Sequence, residues 1–339
     1  MPVELLDIGT FAKSSAEAMT ACVRASKRLQ RMRARTRCQV RNATMQLRDE
    51  MLCCFLSAIQ ESTSLMELHM ESPRVGEPAN LAFENALTRT QSLRSLSLSC
   101  PDGLTEDMAV AAARSGLKNH ITLRELTLEC SWRATTVSPT LTSLRDHPLL
   151  RRLCVHGHAA DLTGLETVLL SDNSKITELD IDAGLWIVRG EPRPTAKGST
   201  RALRALGRRP TSLTKLRVRH CPLGRDEARQ LAMVLRNSPN SQNLDLQCCA
   251  LGSVGLSELA PALCSNASIK ELDLSRNEIR VESAKLLRDI IRLNKTTTTL
   301  VLSGNYFDAT PGSVECTAEG LGSNSAPASV DFSSWAPWN

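Results

Sequence analysis

One pattern constrains this chain more than any other feature, because it returns four times at a fixed step. Ile269, Leu272, Leu274, Asn277 and Ile279 fit L-x-x-L-x-L-x-x-N/C-x-L. So do Leu213, Leu216, Val218, Cys221 and Leu223, and Ser241, Leu244, Leu246, Cys249 and Leu251. Thr297, Leu300, Leu302, Asn305 and Phe307 form the fourth copy, and the starts at 213, 241, 269 and 297 lie 28 residues apart. A segment this short cannot bury its apolar side alone, so successive copies must stack.

Each position then has a physical task. Alternation at Leu272 and Leu274 sends both side chains inward from a short strand, with Glu271, Asp273 and Ser275 on the opposite face. Asn277 and Asn305 end their strands where a sharp turn takes backbone groups off the ladder, and a carboxamide can satisfy both donors and acceptors there; Cys221 and Cys249 do so only weakly. The return limb reads as helix, since Leu231, Ala232 and Leu235 and then Leu259, Ala260 and Leu263 recur at helical spacing. Weaker copies start at Leu65, Leu93, Leu123, Leu150 and Ile176, which makes nine repeats, with a Gly- and Pro-containing insertion at Trp186–Thr200. Nine parallel strands about 4.8 Å apart span roughly 40 Å, room for a small domain.

Over about residues 46–310 these copies resemble leucine-rich repeats of the ribonuclease-inhibitor type. The resemblance implies an α/β solenoid, a horseshoe with a parallel concave sheet and outer helices. It also implies binding of a partner protein on the concave face or its rim. Domains are expected at 1–45, a basic helical cap; 46–310, the repeats; and 311–339, a flexible Ser-, Gly- and Pro-rich tail holding Phe332, Trp335 and Trp338. Within residues 1–60, Leu47, Met51, Cys54, Phe55 and Ile59 form one helical stripe, and Met19, Cys22, Leu29 and Met32 a narrower one.

Composition supports a repeat core. Aromatic residues make up 3% of the 339-residue chain, so Leu, Ile, Val, Ala and Cys must fill it. The net charge of +5 is concentrated at Arg24–Arg41, which holds eight basic residues and no acid; with no aromatic residue interleaved to stack on bases, nucleic acid is disfavoured as a partner. Neither a membrane span nor a secretory leader is read, so the twelve cysteines are expected as free thiols in the cytoplasm.

No constellation for catalysis is found: no G-x-S-x-G, phosphate loop, G-x-G-x-x-G, H-E-x-x-H or C-x-x-C. Cys154, His156 and His158 alternate along one strand, but a convincing further ligand is missing, so no metal and no cofactor are expected. The chain is therefore expected to be a non-enzymatic protein-interaction scaffold. Candidate contact residues on the concave face are Glu125, Glu129, Arg152, His156, Glu178, Asp180, Asp182, Lys215, Arg217, Arg219, Asp245, Glu271 and Asp273. All outward strand positions together hold ten acids against four bases, which favours a basic protein partner. Two alternatives compete. Pro2–Leu6 with Cys22–Leu29 is similar to the opening and close of an F-box, with Leu29 where Trp is usual, which implies a ubiquitin-ligase adaptor. Some proteins with this repeat resemble small-GTPase regulators, although those carry an acidic tail that this chain lacks.

Overall fold

The structure is a computed structural model that describes residues 5–8, 20–21, 23–24, 29–35, 45–71, 76–100, 117, 120–130, 137–157, 162–183, 199–208, 210–306, 319–324, 326–327, 329–331 and 333. It divides into two compact units, residues 1–175 and 176–339. The first contains strands β1 (Leu5–Ile8), β2 (Arg31–Arg35), β3 (Glu67–Glu71), β4 (Ser95–Cys100), β5 (Glu125–Cys130) and β6 (Arg152–Gly157), each parallel to the next. Its helices are α1 (Met45–Glu61), α2 (Glu77–Arg89), α3 (Ser138–Ser143) and α4 (Leu165–Leu169). The second contains β7 (Glu178–Asp182), β8 (Lys215–Arg219), β9 (Asn243–Asp245), β10 (Glu271–Asp273), β11 (Thr299–Val301) and β12 (Ser329–Asp331), again parallel in chain order. Its helices are α5 (Ser199–Gly207), α6 (Arg225–Asn237), α7 (Gly252–Ser265) and α8 (Ala284–Leu293). Parallel strands joined through outer helices are the expected α/β leucine-rich-repeat solenoid architecture.

Register explains the core. Leu179, Leu216, Leu244, Leu272 and Leu300 are partners on adjacent strands, and all five are buried. Leu68, Leu96, Leu126 and Leu153 form the matching row of the first unit. Each such leucine contributes about 1.5–3 kcal/mol of burial, and a one-residue slip of any strand would turn the row to water. The helices close the other side with Leu231, Ala232 and Leu235 of α6, Leu259, Ala260 and Leu263 of α7, and Leu287, Ile290 and Ile291 of α8. In α1 the buried stripe is Leu52, Phe55, Leu56 and Ile59, whereas Cys54, expected on it, is exposed.

Paired strands occur outside residues 46–310. Instead of a purely helical segment, the N-terminal 45 residues supply β1 and β2, and Arg31–Arg35 matches Glu67–Glu71 residue for residue. Met32 and Leu29, grouped in one helical stripe by sequence, are both buried, but Met32 stands on a strand. Period-2 pairing with β3 overrides the helical reading there. Residues 319–322 are helical and Ser329–Asp331 pairs with β11, so part of the C-terminal segment is ordered secondary structure. Most of Arg24–Arg41 and of the F-box-like stretch, together with Phe332, Trp335 and Trp338, lies outside the described residues.

Two side-chain ladders satisfy the backbone between strands and helices. Asn277 Nδ2 donates to the carbonyls of Leu246 (2.7 Å) and Ser275 (3.2 Å), while its Oδ1 accepts from the N–H of Cys249 (3.0 Å). Where cysteine replaces asparagine, the Cys249 thiol reaches the Val218 carbonyl at 2.8 Å. The second ladder stands three residues before each repeat. Asn294 Nδ2 donates to the Leu263 carbonyl at 2.8 Å and its Oδ1 accepts the N–H of Thr296 and Thr297; Asn266 and Asn324 cap the same turn. In the first unit that place is taken by Thr90, His120 and His147, all buried. Among the described residues no helix is long and apolar enough to cross a membrane.

Candidate interaction surface

The open face of each sheet is built from the strand positions that alternate with the leucine rows. In the first unit, Glu125 is the register partner of Arg152 and Glu129 that of His156. Glu125 is exposed, and Glu129, Arg152 and His156 are half-buried. Ser95 donates to Glu125 at 3.4 Å, His69 Nδ1 lies 2.8 Å from Ser97 Oγ, and Arg31 pairs with Glu67 at 3.0 Å, so β2 carries the same face onward. Cys154 shares that side of β6 but is buried, and His158 lies outside the described residues.

The second unit gathers six charged or titratable groups at β7–β9. Arg217 Nη1 stands 3.5 Å from Asp180 and its Nε 3.7 Å from Asp245. Arg219 Nη2 reaches Asp180 at 3.3 Å and Asp182 at 3.5 Å. His220 Nδ1 closes the array on Asp182 Oδ1 at 2.6 Å. The basic strand Lys215–Arg219 therefore turns its two arginines onto aspartates of both flanking strands, which cross-strand neighbours of opposite charge favour.

Burial sets the electrostatics of this array. Asp180 is buried, although alternation had placed it on the open face, because both guanidiniums lie over it. Burial by itself would lower the pKa of Arg219, but Asp180, Asp182 and Asp245 outweigh it and hold the guanidinium above its ordinary value. Asp245 moves up despite two neighbouring arginines: burial dominates, Asp273 adds repulsion, and the Gln247 N–H and the guanidiniums only partly offset them. Cys221, behind the array, is pushed up to about 12 by burial, so its thiol stays protonated and unreactive.

Of the other candidates, Glu271 is exposed and accepts a hydrogen bond from Asn243, and Asp273 accepts the Ser275 N–H at 2.8 Å. Glu178, Lys215 and Asp182 are half-buried. Ser275, expected outward, is buried because β10 ends at Asp273 and alternation lapses in the turn. The sequence reading missed His220, which takes the left-handed conformation (φ 55°) in the turn after β8. Cys248, Arg276 and Gly304, successive 28-residue steps from it, also have positive φ, and of the four only the glycine signals that turn in the sequence.

Residues 242–260 and 265–287 match the family model described as Leucine Rich repeat. Over 80 residues the chain is 38% identical to "Leucine-rich repeat-containing protein 45" of Gallus gallus, a stretch that covers 22% of this chain and 12% of that protein. Solved structures similar to it include a protein of Bacteroides fragilis (TM-score 0.49, 16% identity, 79% of this chain and 75% of that one). The leucine-rich repeat-containing protein LegL7 of Legionella pneumophila is another (TM-score 0.48, 14% identity, 97% and 90%). The stretch at 242–287 is thus similar to leucine-rich repeats, and the strand, turn and helix that recur through the described residues give the chain the fold of such repeats.

Proposed function

We propose that the chain is a non-enzymatic scaffold that holds a partner protein on the open face of its strands, through a surface richer in carboxylates than in cations. The observation that carries this reading is the parallel register of the second unit. It lines up Glu178, Lys215, Asn243, Glu271 and Thr299 in one row and Asp180, Arg217, Asp245, Asp273 and Val301 in the next. Such a surface is rigid, because every side chain rises from a hydrogen-bonded strand, and rigidity lowers the entropic cost of association. Arg217 and Arg219 are engaged by three aspartates, so Glu178, Glu271 and Asp273 dominate the field a partner meets, and a basic partner fits.

The test is affinity capture with the full chain, followed by mass spectrometry and repeat capture with E178K/E271K. A partner that the wild type holds and the charge-reversed protein releases supports the proposal. Retention of every partner by that variant moves the site off this face.

A further inference from the structure

The outer helices of the second unit carry a second surface, of opposite sign. Arg201 and Arg204 of α5 and Arg208 just beyond it stand at i, i+3 and i+7, so they share one face, and all three are exposed. α5 contains no acidic residue. On α6, Arg229, Met233 and Arg236 repeat the arrangement at i, i+4 and i+7, also exposed. The two helices lie side by side: Thr200 Oγ1 donates to Glu227 at 2.7 Å and Asn237 Nδ2 to the Gly207 carbonyl at 2.6 Å. Arg201 and Arg229, like Arg208 and Arg236, are one 28-residue step apart on these neighbours.

Arg229 is satisfied by Glu258 at 3.1 Å. Arg201, Arg204, Arg208 and Arg236 form no ion pair or side-chain hydrogen bond among the described residues. The patch ends at α7, where Ser257 and Cys264 occupy the corresponding steps. Four uncompensated guanidiniums around Met233, 40% exposed, combine charge with an apolar centre.

We infer that this α5–α6 face docks an acidic segment of a partner protein, with carboxylates paired to Arg201, Arg204, Arg208 and Arg236 and an aliphatic side chain on Met233. A protein fits better than a nucleic acid or an anionic bilayer. Asp226, 3.8 Å from Arg229, and Glu258 neutralise that cation and so interrupt the row that a continuous line of phosphates would need, whereas a short acidic segment can be met by the four remaining arginines; neither helix carries an aromatic residue for stacking on bases.

The experiment uses the full chain with three probes: a fluorescent Glu/Leu peptide of about a dozen residues, a single-stranded RNA of about twenty nucleotides, and phosphatidylserine vesicles. The peptide should bind best, weaken with salt, and lose at least tenfold in affinity on R204Q/R208Q. R89Q/R94Q, which removes the same charge from exposed positions of the first unit, should leave its affinity unchanged. No peptide binding, tighter binding of RNA or vesicles, or unchanged affinity of R204Q/R208Q would each overturn the inference.

Discussion

Asn305 accepts the backbone N–H of Asn277 through its side-chain Oδ1 at 2.9 Å, one full repeat away in sequence. The same oxygen takes the N–H of Ile279 at 3.1 Å, while Nδ2 donates to the carbonyls of Leu274 and Leu302. Two neighbouring turns are thus held by one buried amide. Asn277 does the same for the turn before it.

Replacing Asn277 with Leu strips partners from the buried N–H groups of Cys249 and Leu251 and from the Leu246 carbonyl. At about 1–3 kcal/mol for each of the three stranded groups, the expected loss is about 3–9 kcal/mol. Asn277→Cys should cost less, since Cys249 already fills the equivalent place with a thiol donor. Urea denaturation of both variants measures the difference, and equal losses would show that the amide's hydrogen bonds are dispensable.

The first unit should weaken in acid. His147 Nδ1 accepts the N–H of Leu150 at 3.0 Å, a task suited to the neutral ring. Burial first, and repulsion from His120 second, lower its pKa to about 4; burial likewise lowers that of His120. An unfolded histidine titrates near 6.5. Between that value and about 4 the unfolded chain therefore holds more protons, so stability falls as pH drops through this window and levels off below it. The full swing for His147 is about 3 kcal/mol. His147→Asn installs the side chain that Asn266 and Asn294 already use in the same ladder, and it should flatten the response. Hydrogen exchange of first-unit amides at pH 7 and pH 4.5 reads it.

Asp180→Ala leaves Arg219 and Arg217 with one carboxylate fewer in a largely desolvated array. Breaking a fully buried pair costs about 3–5 kcal/mol; with the arginine side chains 25–31% exposed, about 1–3 kcal/mol is expected. High salt should not restore the loss, because the site is shielded from ions. A deficit that vanishes in 1 M salt would mean the array behaves as a surface ion pair.

Gly164 caps α4, and a Cβ there would overlap the Ser138 carbonyl of α3, with Thr142 Oγ1 also within 3 Å (2.8 Å). The obstacle is backbone, so it cannot swing aside. Gly164→Ala should destabilise the first unit by about 1–3 kcal/mol, seen as a lower melting temperature, while Gly322→Ala, with open space around it, should change little.

The amino-acid sequence by itself determined the repeat: its 28-residue step, the inward leucines, the strand-ending asparagines and the helical return limb all follow from periodicity. It did so because each depends on neighbours within one repeat, and the same solution is written many times. Tertiary structure alone decided how the open face is charged. Asp180 looks like a free surface carboxylate until β8 lies beside β7 and both arginines cover it, and Arg31–Arg35 looks helical until Glu67–Glu71 offers it a strand to pair with. Those outcomes depend on residues 30 to 40 positions apart, whose meeting is set by stacking between repeats and leaves no trace in local spacing.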